Sequence, residues 1–125
     1  MPLCHLYTNI ARNDIPKDFT KEFIKIISDA LGRPNAHVTL TIIPDCIMTT
    51  SCTDGPCAQL SVTGIDLPLE AESGKYIAAI DTFVSKMLNI PLDRVVIVLS
   101  SVKPYESGIG DKSLAQLKAE ADKKD

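Results

Sequence analysis

The stretch LGRP at residues 31–34, followed by VTLTI at 38–42, decides the fold of this 125-residue chain, because a matching stretch follows 57 residues later. The matching stretch is LNIP at 88–91, followed by VVIVL at 95–99. In both, a Gly or Asn that tolerates the left-handed conformation ends an apolar helical pattern, a proline blocks its continuation, and an apolar, β-branched strand begins. Two copies are too few for a solenoid, so the repeat predicts two β-α-β units.

The rest of each unit follows from its apolar spacing. Helical periodicity predicts one helix from about Pro16 to Leu31 and a second from Glu70 to about Asn89. Strands are predicted at 3–7 and at 57–65, before the two helices. The predicted fold class is therefore α/β (α+β). It is a two-layer sandwich of a four-stranded mixed sheet that carries both helices on one face.

The strand at 95–99 raises a problem that one copy of the chain does not solve. Its apolar run has no polar alternation, so both of its faces require burial. Two helices cover only one face of such a sheet. Further copies of the chain around a symmetry axis are the simplest cover for the other face, and we therefore predict a homo-oligomer.

The whole chain, 1–125, is predicted to form one domain whose pattern weakens after residue 99. Residues 100–105 read as a loop. Residues 112–125 are predicted to form either a solvated tail or a short C-terminal helix, because charged residues dominate there.

Composition excludes several function classes. Thirteen basic and 16 acidic residues give a net charge of −3, which does not suit nucleic acid, and no apolar run is long enough to insert into a membrane. The opening MPLCH lacks the basic and apolar parts of a signal peptide, so we expect a cytoplasmic protein whose four cysteines are free thiols. Their spacing does not match a zinc site, so we predict no metal.

Pro2 is the first candidate catalytic residue. Methionine before proline is normally removed, which would leave the Pro2 nitrogen as a free secondary amine. Burial against apolar side chains disfavours the charged form of an amine, and a neutral amine near pH 7 is a usable general base. The alternative is that Pro2 only shapes the start of the first strand.

Two further candidates lie at the ends of secondary-structure elements. Arg33 follows the first helix and precedes Pro34, where its guanidinium could bind a carboxylate or could simply complement the helix dipole. Gly64 and Ile65 end the third strand, where a backbone N–H could bind an anionic oxygen.

In combination, several short motifs resemble the macrophage migration inhibitory factor and D-dopachrome tautomerase family. They are MP at 1–2, LGRP at 31–34, PD at 44–45, PCAQLS at 56–61 and DRV at 93–95. The motif at 56–61 and residues 105–110 are closer to the D-dopachrome branch.

The resemblance implies a homotrimer with sheets around a central channel and active sites at the subunit interfaces. It implies cofactor-free keto–enol tautomerisation of small aromatic keto acids such as phenylpyruvate, and of dopachrome. It also implies a cytokine that is secreted without a signal peptide and binds a cell-surface receptor. By resemblance, Pro2 would be the acid/base, Arg33 would stand where the family has lysine, and the Ile65 N–H would bind substrate.

This sequence departs from the family pattern at the pocket wall. Val96 and Val98 stand where the best-known branch places a tyrosine and an asparagine from the neighbouring subunit. Leu60 replaces the second cysteine of the family's Cys-x-x-Cys motif, so thiol oxidoreductase activity is not expected. The apolar wall leaves two alternatives to a tautomerase open, a cytokine-like binding protein with a vestigial pocket and a carrier of apolar ligands.

Overall fold

A computed structural model describes residues 2–67 and 70–123 of the chain. Strands β1 and β2 span Leu3–Thr8 and Thr39–Ile43, and strands β3 and β4 span Ala58–Ile65 and Val95–Val102. Helices α1 and α2 span Phe19–Leu31 and Glu70–Leu88. The C-terminal part contributes the two-residue strands β5 and β6 and the helix α3, which are Gly108–Ile109, Lys112–Ser113 and Leu114–Lys123.

The two main helices end in the same way, as the sequence repeat predicts. Gly32 and Asn89, directly after α1 and α2, have φ angles of 64° and 55°. In both turns a serine hydroxyl of the last helical turns donates a hydrogen bond to the carbonyl oxygen five residues later, from Ser28 and from Ser85. The left-handed residue reverses the chain and leads it into the following strand.

The four long strands form one mixed sheet in the order β2-β1-β3-β4. Strand β1 is parallel to β2, and β3 is parallel to β4, so each helix connects two parallel strands within its own unit. The central pair, β1 and β3, is antiparallel and joins the two units. This arrangement confirms the predicted fold class of two β-α-β units in a four-stranded mixed sheet.

The core lies between the helices and one face of this sheet. Phe19 and Phe23 of α1 contact Phe83 of α2, with ring centroids 5.6 and 5.2 Å apart. Beneath these rings lie Leu6 of β1 and Leu60 of β3, both fully buried. Both helices therefore cover the same face of the sheet.

The opposite face of the sheet, which we call the open face, is not covered by any of the residues that the structure describes. Leu3 and Tyr7 of β1 and Val96 and Val98 of β4 belong to it, and their side chains are exposed by 38 to 58%. Exposed apolar side chains that alternate with buried ones along a strand mark a surface that a partner covers.

Two predicted boundaries were wrong. Helix α1 begins at Phe19 rather than near Pro16, because Pro16 and the residues after it form a turn in which the Phe19 N–H donates to the Pro16 carbonyl at 3.1 Å. Residues 100–102 are not loop but the end of β4, because they pair with Thr63–Ile65 of β3. Strand β3 supplies the hydrogen bonds that the backbone of Ser100 and Ser101 requires, so these polar residues extend the strand.

The C-terminal part forms a small unit around its own contacts. Helix α3 packs on the turn at Pro104–Glu106 and on β6, and the Ser107 carbonyl accepts a hydrogen bond from the Leu114 N–H. Residues 114–123 are therefore helical, which is the second of the two alternatives predicted for this segment. Among the described residues, no helix is both long and apolar enough to cross a membrane.

Candidate functional site

The topology brings Pro2, Arg33 and Ile65 to the same end of the sheet. Pro2 precedes β1, and Arg33 lies in the connection that leads to β2, which is parallel to β1. Ile65 ends β3, which runs antiparallel to β1, so the end of β3 lies beside the start of β1. The three predicted site residues therefore lie at the same end of the sheet, although 63 positions separate Pro2 from Ile65.

Pro2 is fixed in a closely packed, buried position. Its side chain is fully buried, and its carbonyl oxygen accepts a hydrogen bond from the Thr39 N–H at 3.1 Å. A Cβ atom on Gly64 would lie 3.5 Å from the Pro2 Cα and 3.0 Å from Leu67 Cδ2. Glycine at position 64 thus allows β3 and the chain after it to pack closely against the proline.

Arg33 is held across the end of β3. Its Nη2 donates to the Ile65 carbonyl at 2.7 Å and reaches the Asp66 carbonyl at 3.5 Å. The residue is half-buried, so part of the guanidinium still faces solvent. Because Arg33 has five N–H donors and these bonds use only one nitrogen, donors remain for a bound anion.

A cleft of about 360 Å³ opens beside this guanidinium. It lies between the end of the sheet and the first turns of α2, where the Tyr76 hydroxyl donates to Glu72 Oε2 at 3.3 Å. The residues that line it are Leu31, Arg33, Asp66, Leu67, Glu72, Tyr76 and Ser101. Leu67 of the lining also lies close to Gly64, the residue that lies next to Pro2. The cleft is therefore close to the surroundings of Pro2.

Val96 and Val98 lie away from Pro2 within one chain. They pair with Gln59 and Ser61 in β3, whereas Pro2 lies beside Gly64 at the strand end. Both valines are exposed on the open face. A single chain thus brings together Pro2, Arg33 and Ile65 but not the two valines, which are available to a neighbouring subunit.

Two buried ionisable groups have shifted pKa values. Burial raises the pKa of the Cys4 thiol to about 12, so this thiol is protonated and unreactive at neutral pH. Burial also raises the pKa of the Asp81 carboxyl to about 6, and its Oδ1 atom has no hydrogen-bond partner among the described residues. Within these residues, no group of three or more His, Cys, Asp or Glu side chains could hold a metal ion.

The role of Arg94 was not predicted from the sequence. Its guanidinium donates to four backbone carbonyls of one loop, those of Thr50, Thr53, Gly55 and Pro56, at 2.8 to 3.2 Å. This loop contains the turn at Ser51 and Cys52, both with positive φ angles. In the sequence, Arg94 stood out only as part of the DRV motif at 93–95 before an apolar strand, which gives no role to its side chain.

Comparison with known proteins agrees with this architecture. The family model described as macrophage migration inhibitory factor (MIF) matches residues 1–115. The chain belongs to the macrophage migration inhibitory factor family. A macrophage migration inhibitory factor of Mus musculus is 32% identical over 97 residues, which cover 78% of this chain and 84% of the relative.

Other members of the family show similar agreement. D-dopachrome decarboxylase-B of Xenopus laevis is 26% identical and covers 86% of this chain and 92% of its own length. The structure of the MIF of Trichinella spiralis superimposes with a TM-score of 0.85 at 21% identity and covers 89% of this chain and 98% of its own. Both branches are thus represented among the relatives, and the closer similarity to the D-dopachrome branch stays a prediction.

Proposed function

We propose that this MIF family member is a keto–enol tautomerase that acts on small aromatic keto acids of the phenylpyruvate type and on dopachrome-like compounds. The single observation that carries the proposal is that a buried Pro2 and the Arg33 guanidinium, bonded to the end of β3, lie at the same end of the sheet. In this proposal Met1, which lies outside the described residues, is removed and the Pro2 nitrogen becomes a secondary amine.

Each residue then has a separate task. The neutral Pro2 amine takes a proton from the carbon next to the substrate carbonyl and returns it to the oxygen of the enolate. Arg33 binds the substrate carboxylate with the donors that its bonds to Ile65 and Asp66 leave unused. The Ile65 N–H is proposed to stabilise the anionic oxygen.

The surroundings of Pro2 support a neutral amine. Its side chain is fully buried, and the neighbours of Gly64, the residue next to the Pro2 backbone, are the apolar side chain of Leu67 and Pro2 itself. A buried amine without an anionic partner favours its uncharged form, which is the form that accepts a proton.

The decisive test compares the rate of phenylpyruvate tautomerisation by the original chain, freed of Met1, with the rates of two variants. We expect the rate of the Pro2→Gly variant to fall by about 10²-fold or more, the usual contribution of a positioned base. In a second variant, one alanine is inserted between Met1 and Pro2, so the ring is kept but its nitrogen becomes an amide. We expect an equal loss, and unchanged rates in both variants would remove Pro2 from the mechanism.

The pocket wall favours a second candidate function. Val96 and Val98 present no hydrogen-bond donor or acceptor, so a pocket completed by them orients a polar substrate weakly. We therefore also propose a cytokine-like protein, made in the cytoplasm and secreted without a signal peptide, that binds a cell-surface receptor. Binding to cells that persists after covalent blocking of Pro2 would support a receptor surface outside the pocket.

The assembly proposed for either function is a homotrimer. Its support is the exposed apolar open face, because a pocket wall made by Val96 and Val98 requires a second subunit. In that arrangement each active site contains Pro2 from one subunit and the two valines from its neighbour.

A further inference from the structure

A second groove lies at the other end of the sheet from Pro2. Its volume is about 560 Å³, and its lining residues are Arg12, Ile15, Lys17, Thr20, Ile42 and Pro44. Ile42 lies near the end of β2, whereas the Pro2 carbonyl is bonded to Thr39 at the start of that strand. From residue 39 to residue 44 the chain extends by about 17 Å at roughly 3.3 Å per residue, so the two sites are separate.

The groove combines an apolar floor with a basic rim. Ile15, Ile42 and Pro44 are half-buried, while Arg12 and Lys17 are exposed. Arg12 begins a short 3-10 helix, and Lys17 lies in the turn before α1, in which the Phe19 N–H donates to the Pro16 carbonyl. Apolar surface that remains partly open beside charged side chains matches a ligand with an apolar body and a charged head.

Neither cation is used within the part of the chain that the structure describes. Arg12 and Lys17 form no ion pair and no side-chain hydrogen bond there, whereas Lys25 pairs with Asp29 at 3.5 Å. The groove lining contains no acidic residue, although the chain as a whole carries a net charge of −3. Two unpaired cations therefore line the groove, whereas the acids next to lining residues in sequence, Asp14, Asp18 and Asp45, are exposed and do not belong to the lining.

We propose that this groove binds a small amphiphilic carboxylate, with its apolar chain or ring on Ile15 and Ile42 and its head group between Arg12 and Lys17. The planar guanidinium of Arg12 matches a carboxylate in two-point geometry, and the Lys17 ammonium adds a point charge. The Thr20 hydroxyl, also in the lining, supplies a further donor. This site does not depend on the proposed tautomerase activity.

The test is a titration of the 15N-labelled full chain with decanoate, followed by NMR. We expect saturable shifts of the amide signals of Ile15, Thr20 and Ile42 with decanoate. Acetate, which has the head group alone, should cause no saturable shift over the same range. Decanoate shifts confined to the surroundings of Pro2 and Arg33 would place the ligand in the other site and overturn the proposal.

Charge variants test the role of the rim. In Arg12→Gln/Lys17→Gln we expect the affinity for decanoate to fall by about tenfold or more, the loss of one to two charge-assisted hydrogen bonds. Lys21→Gln/Lys86→Gln removes two exposed cations outside the groove and should leave the affinity unchanged. Equal affinity in both double variants would overturn the proposal, because the basic rim would then not contribute to binding.

Discussion

Asp81 is a buried residue of α2, and its burial makes the free energy of unfolding depend on pH. Only 8% of the residue is exposed, and Oδ1 has no partner among the described residues. Burial raises its pKa from the ordinary value of 3.8 to about 6. The folded chain therefore holds this proton more tightly than the unfolded chain does, so ionising Asp81 destabilises the fold.

This shift gives a signed pH prediction. The destabilisation is absent below about pH 4, grows between pH 4 and 6 and is complete above pH 6. We expect Asp81→Asn, which removes the charge, to raise the free energy of unfolding by about 1 to 3 kcal/mol at pH 7.5, at roughly 1.4 kcal/mol per pKa unit. The gain should shrink toward zero at pH 4.

Urea unfolding at pH 4.0, 5.0, 6.0 and 7.5 measures this effect. Glu22→Gln, which removes an exposed carboxylate of α1, is the control and should show no such trend. A gain for Asp81→Asn that is the same at all four pH values would show that the charge of Asp81 is not the cause.

Arg33 has two tasks that conservative substitution can separate. Its guanidinium donates a hydrogen bond to the Ile65 carbonyl at the end of β3, and it is proposed to bind the substrate carboxylate. We expect Arg33→Ala to raise the KM for phenylpyruvate by about 10- to 100-fold, with a smaller change in kcat, because a charge-assisted hydrogen bond contributes roughly 1.5–3 kcal/mol.

Lysine at position 33 is the matched control, because it keeps the charge but loses the planar fork. We expect Arg33→Lys to recover most of the KM. If Arg33→Ala keeps the KM of the original chain, the carboxylate binds elsewhere and the assignment of Arg33 is wrong.

At the level of secondary-structure elements, the residues that end the two helices determine how the chain reverses into the second strand of each β-α-β unit. Gly32 adopts a φ of 64°, and a Cβ atom there would meet no atom within 4 Å. The backbone conformation, and not a lack of space, is therefore what favours glycine at this position. Gly74, inside α2, is equally open but does not adopt a positive φ.

This contrast predicts opposite signs for the same substitution. Gly32→Ala should lower the free energy of unfolding by about 1–2 kcal/mol, the cost of a left-handed conformation for a residue with a Cβ. Gly74→Ala should raise it by about 0.5–1 kcal/mol, because alanine favours a helix interior. Urea midpoints at one fixed protein concentration measure both, and shifts of the same sign would contradict the backbone explanation.

At the scale of the whole molecule, the open face is the feature from which we infer the oligomeric state. The MIF-family architecture leaves Val96 and Val98 exposed by 47% and 58% in one chain. These two side chains alternate with residues of the core face along β4, so β4 is apolar on both sides. Because these exposed apolar side chains lie on an uncovered face of the sheet, we expect the chain to assemble with further copies in water.

The introduction of negative charge on this face tests the assembly. We expect Val96→Glu/Val98→Glu to shift the chain from a trimer to a monomer, because unpaired carboxylates resist burial in an interface. Sedimentation velocity gives the mass of each species. Ala78→Glu/Ala79→Glu adds the same charge to exposed positions of α2 and should stay assembled. A monomeric original chain, or a trimeric Val96→Glu/Val98→Glu variant, would contradict the role of the open face.

The sequence alone was sufficient to predict the order of the four long strands and two long helices, and the pairing of a helix with two parallel strands in each unit. It was sufficient because turns depend on local chemistry: Gly32, Asn89 and the two prolines act through their own backbone angles. Pro2, Arg33 and Ile65 could be selected from local motifs, since each ends or begins an element.

Only the tertiary structure decided the contacts that join residues far apart in the chain. The extension of β4 to Val102 depends on pairing with β3, and the bond from Arg33 to Ile65 joins the two units. The burial of Asp81 and the loop held by Arg94 have the same origin. No local pattern encodes these features, because their free energy comes from hydrogen bonds and desolvation that arise only when distant segments pack together.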